Sequence, residues 1–341
     1  MEMKERMTTD LRSLEFDEMQ RKKLKIIRQF LMIIVFVGLV AASLFTGVET
    51  LNINDLSDKE STAYLIFFSS RIPRTVSLLI AGAGMSISGL IFQHISRNKF
   101  VSPTTSGAIN GAQLGIVIGL IALPTLSTMG RMIMAFVFAL LTSFVFMGLV
   151  NRLKFKELIY VPLLGMMMAG VISSVVTFLA YTHNIMQVVH GWFFGSFSLV
   201  ISGRYEVLYL ILPALALCFI YANTFTIAGI GKDFSTNLGL NYNMVLMLGL
   251  ILVSMVSAAV VIVVGNLPFL GLVVPNLVSL YSGDNMKKSL MEVGIIGMMI
   301  LLVSDLVCRI AVHPYELPIA LVVGILGCLG FVGTLAMKGN R

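Results

Sequence analysis

Charged side chains are rare inside the long apolar stretches of this sequence, and two features there could carry chemistry. Gly84-Met85-Ser86 has the Gly-x-Ser pattern of intramembrane serine proteases, but so short a pattern occurs by chance in a glycine-rich chain. Asp305 is the one carboxylate well inside an apolar run, where ion-coupled carriers place such groups. Arg309 follows one helical turn later, so a local ion pair explains Asp305 better than a proton relay does.

Metal, redox and nucleotide chemistry have no matching pattern in the sequence. The four histidines lie at the ends of apolar runs or between them, and no spacing of His, Cys and carboxylates fits a metal site. The cysteines, Cys218, Cys308 and Cys328, lie singly in or beside apolar runs, as small buried side chains do. No phosphate-binding loop occurs, so we expect neither ATP hydrolysis by this chain nor a metal or cofactor.

Composition places these residues in an all-α, polytopic membrane protein. Hydrophobic residues make up 57% of the 341 residues and charged residues 12%, whereas soluble domains are near half apolar and a quarter charged. Helices satisfy their own backbone hydrogen bonds in lipid, at about 20 residues per crossing. We predict ten spans, at approximately 30–48, 75–95, 105–124, 131–150, 158–181, 205–222, 244–265, 268–282, 292–310 and 317–336, the eighth being short and broken by Pro275.

Basic residues lie between the apolar runs and not along one face, so the net charge of +7 does not predict a nucleic-acid partner. With the N-terminus inside, 18 of the 24 Lys and Arg residues fall on the inner side, which places both termini in the cytoplasm. We therefore predict a cytoplasmic segment 1–29, a ten-helix domain 30–337 and a cytoplasmic tail 338–341. The six outer basic residues are Lys59, Arg71, Arg74, Arg131, Arg204 and Arg309.

Two of the predicted spans carry glycine at helical spacing along one face. Such rows let helix backbones approach closely, and we favour this packing role over contact with a substrate. The third span has its row at Gly107, Gly111, Gly115 and Gly119, and the tenth at Gly324, Gly327, Gly330 and Gly333.

A series of motifs over residues 30–337 resembles one family of transporters. The motifs are Ser70-Arg71-Ile72-Pro73-Arg74-Thr75, Gly191-Trp192-Phe193-Phe194-Gly195-Ser196, Phe269-Leu270-Gly271-Leu272-Val273-Val274-Pro275, Asp305 with Arg309, and Glu316-Leu317-Pro318. Their order and spacing resemble the iron-siderophore and cobalamin permeases of ABC importers, FecCD-like chains with the type II importer fold. Within that family the sequence is similar to a subgroup associated with catecholate siderophores.

The resemblance implies a transport subunit of the bacterial cell membrane, not an enzyme, that moves an iron(III)-siderophore complex into the cell. The implied partners are a second permease subunit, identical or paralogous, two cytoplasmic ATPases, an extracytoplasmic siderophore-binding protein and membrane lipid. A permease for cobalamin or heme, or an ion-coupled secondary carrier, stays open as an alternative. The sequence identifies neither the siderophore nor the helices that line its path.

Three outer arginines match the family's docking residues, which pair with glutamates of the binding protein. These are Arg71, Arg74 and Arg309, and the resemblance implies the same role here. They lie at predicted outer helix ends, against the charge trend of the chain. Arginine has a planar fork that suits carboxylates, and lipid head-group binding is the alternative.

Two further segments receive roles from the resemblance. The polar segment between the sixth and seventh spans resembles a coupling helix that contacts the ATPase, with candidate residues Gly231, Lys232, Asp233, Leu238 and Gly239. The gate candidates are the fifth span and the segment 183–204, which contains Trp192, Gly195 and Ser196. For Trp192, an interfacial anchor is the alternative.

Overall fold

The computed structural model of the protein describes residues 27–47, 58, 61–153, 159–312 and 315–339. Residues 1–26 of the predicted N-terminal segment, the end of the predicted tail and the side chain of Trp192 lie outside the described residues. Residues 27–42 belong to one compact unit and those from Ser43 onward to another. Every contact reported below lies within the second unit.

All regular structure in the described ranges is helical. Six helices are long and apolar enough to cross a membrane: α1, α2, α4, α5, α10 and α12. The apolar parts of α3, α11 and α13 are shorter, and α7 with the 3-10 turn before it meets α8 at a bend of 62°. The helices are α1 (Ile27–Phe45), α2 (Thr62–Ser96), α3 (Ala108–Ala122), α4 (Thr128–Arg152), α5 (Tyr160–Thr182), α6 (Met186–Phe193), α7 (Ile211–Ile220), α8 (Ala222–Ile230), α9 (Lys232–Asn237), α10 (Tyr242–Val263), α11 (Leu270–Ser282), α12 (Met286–Ile310) and α13 (Ile319–Gly339).

Helix α2 begins at Thr62, upstream of the start at 75 that the sequence predicted. A π-helical stretch, Phe67–Arg71, lies in its first part, and α-helical geometry resumes at Ile72. Pro73 therefore lies in the first turn of the α-helical part, and the helix extends further back. Helices commonly end at proline because its ring clashes with the preceding turn. The wider π turn lets this helix continue past Pro73.

Helix α11 is continuous through Pro275, so the prediction of a broken eighth span was wrong. Proline removes one backbone donor from a helix interior, which usually kinks it. Here the Asn276 side chain donates to the Leu272 carbonyl at 2.8 Å. The Gln93 amide of α2 donates to the same carbonyl at 3.3 Å. Side-chain amides thus bond the backbone in the turn that precedes the proline.

The core is built around α2, in which 89% of the residues of the most apolar stretch are buried. It packs against α8, α10, α11 and α12. At two points its backbone lies almost against a neighbouring backbone. A Cβ atom on Gly89 would lie 1.9 Å from the carbonyl oxygen of Gly271 in α11. One on Gly82 would lie 2.8 Å from the carbonyl oxygen of Gly297 in α12, so only glycine fits.

The two predicted glycine rows differ in how closely they pack against neighbouring helices. In α3, a Cβ on Gly115 would lie 2.4 Å from the Met134 carbonyl oxygen of α4, and Gly111 is equally confined. The predicted close packing of this row is confirmed there. In α13, Gly327 packs against Phe269, whereas a Cβ on Gly333 would meet no atom within 4 Å. Only part of the tenth-span row therefore packs within the chain.

We predict that Gly89→Ala destabilises the folded permease by about 1–3 kcal/mol or more, because the methyl group would push α2 away from α11. Gly148→Ala is the matched control, since a Cβ there meets nothing within 4 Å. Thermal unfolding of both variants in one detergent measures the difference. Equal stability of the two variants would contradict the close approach of α2 and α11.

Candidate functional site

Four charged side chains meet between α2, α12 and the loop that follows α12. Arg74 donates to Asp305 from Nε at 3.1 Å and from Nη2 at 2.8 Å. Its Nη1 donates to both carboxylate oxygens of Glu316, at 2.8 and 2.9 Å. Arg309 forms an ion pair with Asp305 one turn away on α12, as the sequence predicted. These four residues are called the ion cluster below.

Arg71 and Arg309 also bond the backbone where α1 ends. Arg71 donates from Nη1 to the carbonyls of Leu44 and Phe45, at 3.2 and 2.8 Å. Arg309 donates to the carbonyls of Ser43 and Thr46, at 2.9 and 2.7 Å. The last carbonyls of a helix have no partner within the helix, and cations near that end are favourable. The two arginines together satisfy four consecutive carbonyls.

Burial differs sharply between the two carboxylates of the ion cluster. The Asp305 side chain is 1% exposed and lies between two guanidinium groups, while that of Glu316 is 23% exposed. Partial burial by itself would raise the pKa of Glu316. Hydrogen bonds from Arg74 and Ser198, together with the charges of Arg74 and Arg309, lower that pKa below its usual value. Glu316 is therefore a carboxylate at neutral pH.

The structure thus brings Arg74 and Arg309 into one cluster. Arg71 lies one turn before Arg74 in α2, and its side chain bonds the end of α1. All three predicted docking arginines are buried, Arg74 at 9% exposure being the least so. Their docking role stays a prediction. Sequence reasoning noted Glu316 only as part of a motif and missed its pairing with Arg74, because 242 residues separate the two. The available signal was that Arg74 and Glu316 both lie at span ends which the sequence predicts on the same side of the membrane.

The predicted gate segment, 183–204, forms hydrogen bonds with Glu316, with α2 and with the residue that follows α10. Ser198 donates to Glu316 at 2.6 Å, and the Ser202 N–H donates to the Ser69 carbonyl of α2 at 3.0 Å. Pro73 has no N–H to offer Ser69, four residues earlier, so that carbonyl is open to a partner from outside the helix. Ser196, a gate candidate, donates its N–H to the Val264 carbonyl at 2.8 Å.

The gate candidate Gly195 lies where other residues fit poorly. Its φ is +50°, and a Cβ there would lie 2.3 Å from the Asn266 carbonyl oxygen. Ser196 lines an adjoining cavity of about 590 Å³, together with Arg131 and Arg204. This volume lies in the range of ligand cavities. Ser196 therefore lies at the edge of an open space, and Gly195 beside it is tightly confined.

The predicted coupling segment forms a short exposed helix, α9, between two glycines of unusual backbone conformation. Gly231 before it has φ +145°, and Gly239 after it has φ +80°. Ser235 fixes α9 by donating to the carbonyls of Gly231 and Ile227, at 2.6 and 3.1 Å. Lys232 and Asp233 are exposed. So are three large apolar side chains at four-residue spacing, Ile230, Phe234 and Leu238.

Ser86, the serine of the protease-like pattern, lies in a packed helix contact. It is fully buried, and a Cβ on Gly297 would lie 2.0 Å from its Oγ. A nucleophile needs space for a substrate next to its oxygen. The position therefore serves the packing of α2 against α12.

Comparison with known proteins places this fold in one transport family. The FecCD transport family matches residues 31–338. The petrobactin import system permease YclN of Bacillus subtilis is 48% identical over 294 residues, which cover 86% of this chain and 93% of that protein. The ferric-anguibactin permease FatD of Vibrio anguillarum is 39% identical, with 92% of this chain and 99% of that protein covered.

A solved structure agrees with the fold. An inward-facing metal-chelate-type ABC transporter has a TM-score of 0.75 over 90% of this chain and 98% of its own, at 23% sequence identity. The predicted resemblance is thereby confirmed, as is the prediction of a multi-pass membrane transport subunit and not an enzyme. This chain belongs to the FecCD transport family.

Proposed function

We propose that the chain is the permease subunit of an ABC importer that moves an iron(III)-siderophore complex into a bacterial cell. The observation that carries this proposal is the 48% identity to a petrobactin import permease along almost the whole of both chains. The catecholate class is proposed from the similarity of the sequence to a subgroup associated with catecholate siderophores. The complex would contain a second permease subunit, two cytoplasmic ATPases and an extracytoplasmic binding protein.

Ten membrane crossings are part of the proposal. Six long helices, the bent pair α7–α8 and the shorter helices α3, α11 and α13 supply that number, if the bent pair crosses once. With the inner excess of Lys and Arg, both termini and α9 lie in the cytoplasm. The ion cluster then lies on the outer side. Residues 30–337 are the transmembrane domain in this arrangement.

The proposal predicts sided, ATP-driven uptake. In proteoliposomes that enclose ATP and carry the cognate ATPase on their inner face, a ferric catecholate complex should enter only when the binding protein is present outside. ATPase and binding protein acting at the opposite faces would contradict the orientation. Uptake driven by a proton gradient without ATP would favour a secondary carrier, and preferential uptake of cobalamin would exclude the siderophore assignment.

Docking of the binding protein at the ion cluster follows from the same proposal. Arg74 is the arginine with the most exposed side chain of the cluster, at 11% against 5% for Arg309. Arg71 and Arg309 hold the end of α1, so charge reversal there would also disturb folding. A conservative change at Arg74 is the sharper test, because lysine keeps the charge and loses the fork.

Arg74→Lys should weaken docking of the binding protein several-fold, because an ammonium group cannot hold Asp305 and an incoming carboxylate in the fixed geometry that a guanidinium allows. Arg131→Lys is the control: Arg131 is an outer arginine in the first turn of α4, outside the ion cluster. Binding to permease complexes in nanodiscs at two salt concentrations measures both variants. If Arg74→Lys and the wild type bind the binding protein with the same affinity, Arg74 does not take part in docking and has a structural role only.

Helix α9 is proposed as the contact with the ATPase. Phe234 is exposed on α9, and Ile230 and Leu238 are exposed just before and just after the helix. Exposed apolar side chains on a short helix suit a groove on a partner. The two flanking glycines set the angle at which α9 leaves α8 and enters α10.

Gly239→Val should uncouple ATP hydrolysis from uptake, since a β-branched residue resists the φ of +80° that ends α9. Gly283→Val introduces similar strain at φ +75° in the loop after α11, and neither site has an atom within 4 Å of an added Cβ. Uptake per ATP hydrolysed is the measurement, at matched expression. Equal ratios in the two variants would refute the assignment of α9.

A further inference from the structure

Glu316 joins the ion cluster to the gate segment by a hydrogen bond. Its Oε1 and Oε2 accept from Arg74, and Oε2 also accepts from the Ser198 hydroxyl at 2.6 Å. Ser198 in turn bonds Ser196, whose Oγ lies 3.0 Å from the Ser198 Oγ and accepts the Ser198 N–H at 3.2 Å. A continuous chain of hydrogen bonds therefore links Arg74 to the gate candidate Ser196.

The two carboxylates that hold Arg74 are not equally replaceable. Asp305 is 1% exposed, lies within α12 and pairs with Arg309 as well as Arg74. Removing it would leave buried charge unpaired, which is strongly unfavourable. Glu316 is 23% exposed and lies in the loop after α12, held by the Leu317 N–H to the Cys308 carbonyl at 3.2 Å. A carboxylate arriving from outside meets Glu316 first.

An exchange at Arg74 would leave the arginine neutralised throughout. An incoming carboxylate can take over the Nη1 donor that Glu316 occupies, while Asp305 retains Nε and Nη2. The cluster then keeps one carboxylate on each side of the guanidinium. Glu316, with its charge no longer matched, is better solvated in water than beside the incoming acid. Its movement breaks the bond to Ser198.

We propose that Glu316 is an exchangeable ligand of Arg74, which a carboxylate of the binding protein displaces, and that its displacement releases Ser198 and loosens the gate segment. This inference rests on the proposed docking role of Arg74. It makes Glu316 a positioning residue with two effects. Glu316 competes with the binding protein for Arg74, and it holds the gate segment while no binding protein is docked.

Two variants separate these effects. Glu316→Gln weakens the hold on Arg74, so the binding protein should dock roughly two- to tenfold more tightly. Ser198→Ala leaves Glu316 on Arg74 and removes only the bond to Ser198 that docking would break, so docking should tighten less than in Glu316→Gln. Both variants should loosen the segment before docking. Ser202→Ala is the matched control, because that hydroxyl bonds the Phe68 carbonyl of α2 and not the ion cluster.

The readouts are docking affinity, the labelling rate of a cysteine placed at Leu199, which is 75% exposed, and ATPase stimulation by the binding protein. The complete complex in nanodiscs is used, with exposed Cys328 changed to Ser. Without binding protein, Glu316→Gln and Ser198→Ala should label faster than the wild type and show raised basal ATPase activity that docking stimulates little. Ser202→Ala should keep its stimulation by docking.

Unchanged or weaker docking of Glu316→Gln overturns the exchange at Arg74. Wild-type labelling and stimulation in Ser198→Ala overturn the link to the gate segment, even if Glu316→Gln fails to fold. A wild-type complex that binds no binding protein at all refutes the proposed docking itself. That last result is distinguishable, because in the other two the wild type docks and transports normally.

Discussion

Pairing of buried charge is the constraint on which one face of this protein depends. Arg74, Arg309 and Asp305 lie where water is scarce, and an unpaired charge there is strongly unfavourable. Each member of the ion cluster therefore fixes the position of another, and the cluster joins α2, α12 and the loop after α12. Since Arg71 and Arg309 also bond residues 43–46, the end of α1 is positioned by the same arrangement.

Away from these charges, close contact between backbones holds the helices together. Gly82 and Gly89 let α2 approach α12 and α11 to distances at which no Cβ fits. Such contacts depend on shape alone and leave little freedom to slide. Ion pairs hold one end of α12 to the first part of α2. The molecule thus combines contacts of shape along α2 with contacts of charge near its beginning.

The helical class and the six long spans could be predicted from the sequence, because the length of an apolar run reports directly on the bilayer. The local pair of Asp305 and Arg309 was likewise predictable, since one helical turn separates them. Contacts between distant segments were not. Nothing local indicated that Pro73 would leave the Ser69 carbonyl to Ser202, or that Arg74 would meet Glu316. The start of α2 was missed because a π-helical stretch has no clear sequence pattern.

The capping of α1 also has a consequence for the order in which the chain is made. The Ser43 and Thr46 carbonyls are bonded by Arg309, which is synthesised more than 260 residues later. Contacts so distant in sequence form late, because the intervening chain must first be ordered. A chain that stops before α12 therefore carries a first helix whose terminal carbonyls lack two of their donors. The end of α1 therefore acquires its full set of hydrogen bonds only after α12 has been translated and inserted.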